Sequence, residues 1–236
     1  FLVSKISGES NKESLWLLRD SHKIFNQEKG VAKGGTSLIK YVLVSVIAYL
    51  LGNFSTSYLI SRAAGKIDIR KYGSGNAGST NVLRVLGVKA AAVAFLGDLL
   101  KGTAAVLIGK QLGGSYGEIV AGIFVVLGHN WPVFLKFKGG KGIATTIGLM
   151  IPIDPIMVLL IVAAGVTLIV ITRYVSLGSV MGVLIYPIAM IATRKPLEYI
   201  IFSIILSAMA VFKHRSNLER LLKGTESKLG QKKKTL

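Results

Sequence analysis

The stretch Pro155–Ile171 reads PIMVLLIVAAGVTLIVI and contains no charged residue. A helix rises about 1.5 Å per residue, and about 20 apolar residues cross the hydrocarbon of a bilayer. A run of this length and purity reads as a transmembrane helix. Six further apolar segments lie on either side of it: Leu38–Ser61, Lys89–Gly109, Gly117–Leu135, Ile143–Ile151, Val175–Thr193 and Leu197–Phe212. Ile143–Ile151 is too short to cross alone. It is expected to be a half-helix shielded by its neighbours, because irregular backbone at membrane depth must be buried in protein or line a wet cavity. The fold expected is an all-α integral membrane protein: a seven-helix transmembrane bundle with short or re-entrant helices. A six-span arrangement stays open.

Composition agrees. The 236 residues are 51% hydrophobic with mean hydropathy +0.58, too apolar for an ordinary soluble domain. There is no cysteine, which excludes disulfides, a thiolate nucleophile and cysteine metal sites. Residues 1–36 are polar and mixed in charge, with a possible short amphipathic helix around Leu15–Phe25, and are set apart as an extension. Residues 37–229 form the membrane domain, and 230–236 a basic tail.

Net charge is +18, from 29 Lys and Arg against 11 Asp and Glu. Arg62, Lys66, Arg70, Lys71 and Arg84 follow the first segment, and Lys136, Lys138 and Lys141 follow the third. Arg173 follows the fifth, and Lys213, Arg215, Arg220, Lys223, Lys228 and Lys232–Lys234 follow the seventh. With seven crossings these loops share one face, and the positive-inside rule makes it cytoplasmic. Lys110 and the Arg194–Lys195 pair lie opposite. The charge also suits anionic headgroups or a polyanionic substrate. Nucleic acid fits poorly, since the bases flank apolar spans without interleaved aromatics.

Three polar segments sit on that face. The first, Tyr72–Arg84, reads YGSGNAGSTNVLR. Gly73, Gly75 and Gly78 permit close backbone approach, Ser74, Asn76 and Asn81 supply short donors and acceptors, and Arg84 offers a planar fork suited to phosphate. Composition alone favours an ordinary loop before a helix capped by Asn or Ser. The second, Gly128–Gly148, carries Lys138-Gly139-Gly140-Lys141-Gly142 directly into an apolar helix. Such a start is a phosphate cradle through free N–H groups and the helix dipole, though a loop on lipid phosphates fits as well. The Walker A pattern is not matched. The third, Lys213–Gly230, reads as an amphipathic interfacial helix with Leu218, Leu221 and Leu222 on one side. His214 and Glu219 make a His-x-x-x-x-Glu spacing near an acyltransferase pattern, an imperfect match. Within the second apolar segment, Asp98 and Lys101 share one helix face; Asp98 is expected to be structural, paired with Lys101 or with a loop, while Lys101 could serve either structure or function. Lone histidines such as His129 are more often structural hydrogen-bonders than catalysts.

Taken in order, GSGNAGSTNVLR, GHNWPVFLKFKGGKGIAT and HRSNLERLLKGTE, with DLLKG (Asp98–Gly102) and RYVSLGS (Arg173–Ser179), resemble the signature segments of the bacterial acyl-phosphate:glycerol-3-phosphate acyltransferases. The resemblance covers about residues 38–228 and omits the first 36. It implies transfer of an acyl chain from acyl phosphate to the 1-hydroxyl of glycerol 3-phosphate, giving 1-acyl-glycerol 3-phosphate and phosphate, at the cytoplasmic side of the inner membrane. It implies that Ser74, Arg84, Lys141, His214 and Asn217 carry the chemistry. Lys138, Gly139, Gly140, Gly142 and Thr145 join them around glycerol 3-phosphate. Gly75, Asn76, Gly78, Asn81, Lys101 and Ser179 are implied at the acyl phosphate. Asp98, His129, Arg220 and Glu226 are expected to be structural, the last two as an ion pair tying the tail down. The expected partners are acyl phosphate, glycerol 3-phosphate and membrane lipid, with no cofactor, metal or nucleic acid, and a monomer is expected.

With no cysteine and no Ser-His-Asp set, direct transfer is simpler than an acyl-enzyme. His214 and His129 are candidate bases, and the departing phosphate oxygen is the favoured one. The alternative is a transporter or flippase for an anionic lipid or phosphorylated metabolite, whose site is expected near mid-membrane between related halves. No internal repeat is evident.

Overall fold

A computed structural model describes residues 38–231, and every regular element within them is helical. The expectations for residues 1–36 and for the end of the basic tail lie outside the described residues. Helix α1 runs over 38–53 and breaks at Phe54-Ser55, where the Ser55 hydroxyl caps α2, Thr56–Gly65. The first predicted span is thus two helices. Next come α3, Ser79–Leu86, and α4, Val88–Asn130. They are followed by α5, Ile143–Met150; α6, Pro155–Thr172; α7, Val175–Ala192; and α8, Leu197–Leu222. Asp154 caps α6, accepting from the Met157 N–H, with Pro155 at its first position.

Helix α4 would span about 65 Å if straight. Instead Gly114 takes φ 62° and ψ −149° and reverses it. Gly109 and Gly117 then lie so close that a Cβ on either would stand 2.4 or 2.2 Å from the other's carbonyl oxygen. His129 near its end comes 3.5 Å from Asp98 near its start. The two predicted spans Lys89–Gly109 and Gly117–Leu135 are therefore antiparallel halves of one hairpin.

Among the described residues, five helical stretches are long and apolar enough to cross a membrane by length and composition, the hairpin counting as one of them. Short α5 lies flush on α4. A Cβ at Gly148 would sit 1.9 Å from the Leu99 carbonyl, one at Gly102 would sit 2.3 Å from the Thr145 carbonyl, and Thr103 donates to the Gly148 carbonyl at 2.7 Å. That backbone-to-backbone fit shields a helix too short to span. The core is apolar: Val44, Val106, Val125, Leu149, Tyr186 and Phe202 are almost fully buried.

The two ends of the bundle differ. At one, Asp154 pairs with Lys195 at 2.7 Å and Tyr199 donates to Glu118 at 2.8 Å, gathering the turns before α6 and α8 beside the hairpin reversal. At the other, the glycine-rich loop, the end of α4, the start of α5, the start of α7 and the last turns of α8 converge. The predicted interfacial helix from Lys213 is not separate: α8 continues through it to Leu222. His214 and Asn217 are therefore neighbours on the buried face of one long helix.

Candidate active site

The glycine-rich loop is organised by one side chain. Asn81, 1% exposed, accepts from the Ser74 N–H at 2.8 Å through Oδ1 and donates through Nδ2 to the carbonyls of Ile69, Tyr72 and Asn76. Gly73 has φ +59°, and a Cβ there would strike Asn81 Oδ1 at 2.2 Å, so only glycine fits. The Asn81 amide, expected at a substrate, is engaged by the loop it shapes. The cap of α3 is Gly78, with no side-chain cap, and not the Asn or Ser that composition favoured. Gly75 and Asn76 lie in the loop, with the Gly75 N–H on the Tyr72 carbonyl.

The lysine-glycine loop packs against the end of α4. A Cβ at Gly139 would meet the His129 carbonyl at 2.1 Å, and one at Gly140 would meet His129 Nε2 at 2.1 Å and the Ala77 carbonyl at 2.9 Å. The last contact brings the two glycine loops side by side. Gly142, φ +81°, starts α5 and turns Lys141 toward α8. Lys138 is exposed, while Thr145 is fully buried one turn inside α5, its hydroxyl without a hydrogen-bond partner among the described residues.

Lys141 Nζ donates to Asn217 Oδ1, and Asn217 Nδ2 donates to Glu226 Oε1 at 2.7 Å. Ser176, at the start of α7, donates to the same oxygen at 2.9 Å, and Arg220 Nε donates to Glu226 Oε2 at 2.7 Å. One carboxylate so ties the tail to α7 and α8 and orients the amide that Lys141 touches. Burial raises the Glu226 carboxyl, but the hydrogen bonds from Asn217, Arg220 and Ser176 outweigh it and hold it below the ordinary range. Burial pushes Lys141 down to about 8; Arg220, Arg84 and Lys213 push the same way against the pull of Glu226. The exposed Arg84 guanidinium reaches the Ser227 carbonyl at 3.4 Å, with burial lowering its pKa. His214 Nδ1 donates to the Ala210 carbonyl at 2.8 Å, which leaves Nε2 of the neutral ring as an acceptor. The result is a cup in which Arg84, Lys141 and Arg220 gather around the Glu226 carboxylate. Glu219 takes no part: it is exposed and pairs with Lys223 at 2.6 Å.

Two residues implied at the acyl phosphate lie outside the Lys141–Asn217–Glu226 cluster. Lys101 Nζ donates to the carbonyls of Gly52 at 3.1 Å and Phe54 at 2.6 Å. It also lies 2.8 Å from both Asp98 Oδ1 and His129 Nδ1. This buried knot satisfies carbonyls freed by the α1–α2 break, so Lys101 has no donor left for a substrate. Ser179 lines an apolar cavity of about 90 Å³ between α5, α6, α7 and α8. Three residues not singled out above do belong to the site. Ser176 sits in the quoted RYVSLGS, one turn before the serine that was chosen. Asn130 is fully buried beside Gly142, and Lys213 donates to its carbonyl at 2.9 Å. Nothing in local sequence marks which serine of RYVSLGS faces Glu226, since that carboxylate arrives from 50 residues away.

The family model described as glycerol-3-phosphate acyltransferase matches residues 42–224. A glycerol-3-phosphate acyltransferase of Thermoanaerobacter pseudethanolicus is 56% identical over 191 residues, covering 81% of this chain and 96% of the relative. One of Clostridioides difficile is 48% identical over 202 residues, with 83% and 98% covered. Among solved structures, PlsY (YgiH), an integral membrane glycerol 3-phosphate acyltransferase, matches in its glycerol 3-phosphate form with TM-score 0.77 at 35% identity, covering 80% of this chain and 96% of that one. Its lysophosphatidic acid form matches with TM-score 0.75 at 34% identity, covering 80% and 95%.

Proposed function

The chain belongs to the glycerol-3-phosphate acyltransferase family, and from that premise we propose that its acyl donor is acyl phosphate and its product 1-acyl-glycerol 3-phosphate, the opening step of phospholipid synthesis. The observation that carries this reading is the cationic cup at one end of an apolar bundle, where Arg84, Lys141 and Arg220 surround the single carboxylate of Glu226. Two phosphate-bearing substrates need such a cup, and a fatty donor needs it beside lipid. The transport alternative is not kept, because the family is one of acyltransferases.

In this reading Arg84 and Lys141 hold the glycerol 3-phosphate phosphate, helped by Ser74, the exposed Lys138 and the N–H groups of Gly139 and Gly142 at the start of α5, while the Gly140 N–H fixes the loop on the His129 carbonyl. Asn217 and the His214 acceptor nitrogen orient the glycerol. Thr145 supports the floor. The loop from Asn76 to Gly78, shaped by Asn81 and turned by Gly75, offers backbone N–H groups to the acyl phosphate. The 1-hydroxyl oxygen bonds to the acyl carbon, the bond from that carbon to the phosphate oxygen breaks, and the hydroxyl proton leaves on the departing phosphate. A substrate oxygen as base agrees with a site whose one carboxylate is already hydrogen-bonded on both oxygens. Alignment of two held substrates and stabilisation of the oxyanion then supply most of the rate. In this reading the cup opens to the cytoplasm, which the positive-inside rule favours for its basic loops.

The test is phosphate release by purified protein from palmitoyl phosphate, with and without glycerol 3-phosphate, beside acyl-coenzyme A and acyl carrier protein donors. Release that depends on glycerol 3-phosphate, with no transfer from the thioesters, is expected. Transfer from a thioester instead overturns the donor assignment.

A further inference from the structure

The cavity of about 90 Å³ lies among α5, α6, α7 and α8, with Ile143 at the start of α5 in its lining. On α5 it is lined by Ile143, Thr146 and Met150, and on α7 by Ser179, Gly182 and Tyr186. Each set follows the i, i+3, i+7 spacing of a single helix face, so two helices turn one stripe each toward the same space. Both begin at the site end. Ile143 is the residue after Gly142 and lies two after Lys141. Ser179 is one turn past Ser176, which is hydrogen-bonded to Glu226. Both stripes descend about 10 Å into the bundle at 1.5 Å per residue. They end at Met150, 4% exposed, and Tyr186, 1% exposed. The Tyr186 hydroxyl has no hydrogen-bond partner among the described residues.

Gly182 stands midway down the α7 stripe. A Cβ added there would meet only Ile161, at 3.6 Å or more, which is ordinary contact distance. By contrast Gly178, on the neighbouring turn, has the Gly165 carbonyl 2.4 Å from where its Cβ would be. Gly178 is therefore required by helix packing, while Gly182 is not. The missing side chain at Gly182 leaves room on the cavity wall.

We propose that this cavity receives the hydrocarbon chain of the acyl donor, with Tyr186 closing its floor and Gly182 holding its wall open, so that these two residues set the acyl-chain length the enzyme prefers. The proposal rests on the acyltransferase reading above. Its occupant follows from position: an apolar slot whose lining starts two residues from the lysine of an anion cup fits one molecule with a phosphate head and an alkyl tail. Each methylene buried in the slot is worth about 0.8 kcal/mol, close to a fourfold change in kcat/KM.

The experiment measures kcat/KM over a series of saturated acyl phosphates from short to long for the whole chain in detergent, with glycerol 3-phosphate KM as a second readout. In Gly182→Val the branched side chain fills the middle of the slot. The longest well-used chains are expected to lose about fourfold per displaced methylene, while short chains and the glycerol 3-phosphate KM stay unchanged. In Tyr186→Ala the floor drops and the preference moves to longer chains. Should Tyr186→Ala fail to fold, Gly182→Val decides alone. A chain-length profile in Gly182→Val that superimposes on the unaltered enzyme overturns the proposal. If no acyl phosphate is used at all, the donor reading fails separately. The same series is then run with the thioester that is used, and its profile decides the slot.

Discussion

At the scale of single residues, Lys141 is the most informative. Its ammonium is half sheltered, pushed down to about 8 by burial and by Arg220, Arg84 and Lys213, and held by the Asn217 carbonyl oxygen. Lys141→Ala removes a charge-assisted contact and is expected to weaken glycerol 3-phosphate use by roughly 1.5–3 kcal/mol, seen as a lower kcat/KM for that substrate. The sign of the pH dependence follows from the depressed pKa. The cation is present below about 8 and lost as pH rises through it, while the phosphate dianion is already formed above about 6. So kcat/KM for glycerol 3-phosphate is expected to fall as pH passes about 8, and Lys141→Arg, always charged, is expected to stay flat there. The base can be tested at His214. Its Nδ1 is fixed on the Ala210 carbonyl, so a folded His214→Asn protein that retains turnover agrees with proton transfer to phosphate, and complete loss points to the imidazole.

At the scale of elements, breaks and contacts between helices carry more than helix propensity does. The α1–α2 break frees the carbonyls of Gly52 and Phe54 inside the bundle, and Lys101 satisfies both while pairing with Asp98. Lys101→Met strands a buried carboxylate and two carbonyls, and is expected to destabilise by about 3–5 kcal/mol. Adding Asp98→Asn recovers part of that, because the unpaired charge goes. Thermal unfolding in detergent checks both. A Lys101 that instead contacted substrate would lose activity in proportion to bound donor with little change in stability. Sequence reading saw that Asp98 and Lys101 share a face but placed Lys101 at the substrate. The i, i+3 spacing is local, whereas the break at Phe54 that uses up its donors lies 47 residues away. The hairpin in α4 has the same character. Gly113-Gly114 reads as a loop between two spans, and only the close approach of Gly109 to Gly117 makes it a reversal without one.

At the scale of the whole molecule, the chain has a cationic, glycine-walled end and an end clasped by Asp154–Lys195 and Glu118–Tyr199. The positive-inside rule assigns the first to the cytoplasm. Because the chain has no cysteine, single cysteines report the side directly. In sealed inverted vesicles, Lys228→Cys is expected to react with an impermeant thiol reagent and Ser115→Cys, beside the hairpin reversal, is not; the reverse pattern refutes the orientation. The sequence by itself determined the solvent and the chemistry. Uncharged runs such as Pro155–Ile171 demand lipid, since each backbone polar group in them must be satisfied within the helix, and three short glycine- and base-bearing segments, each ordinary alone, carry in their order the resemblance that pointed to phosphate chemistry. Only the tertiary structure decided which side chains meet. Ser176 rather than Ser179 reaches Glu226, Lys101 is taken by the α1–α2 break, and Asn81 faces its own loop. The reason is physical: hydropathy and glycine content act over a few residues, but a hydrogen-bond partner is settled by which distant backbone packs alongside.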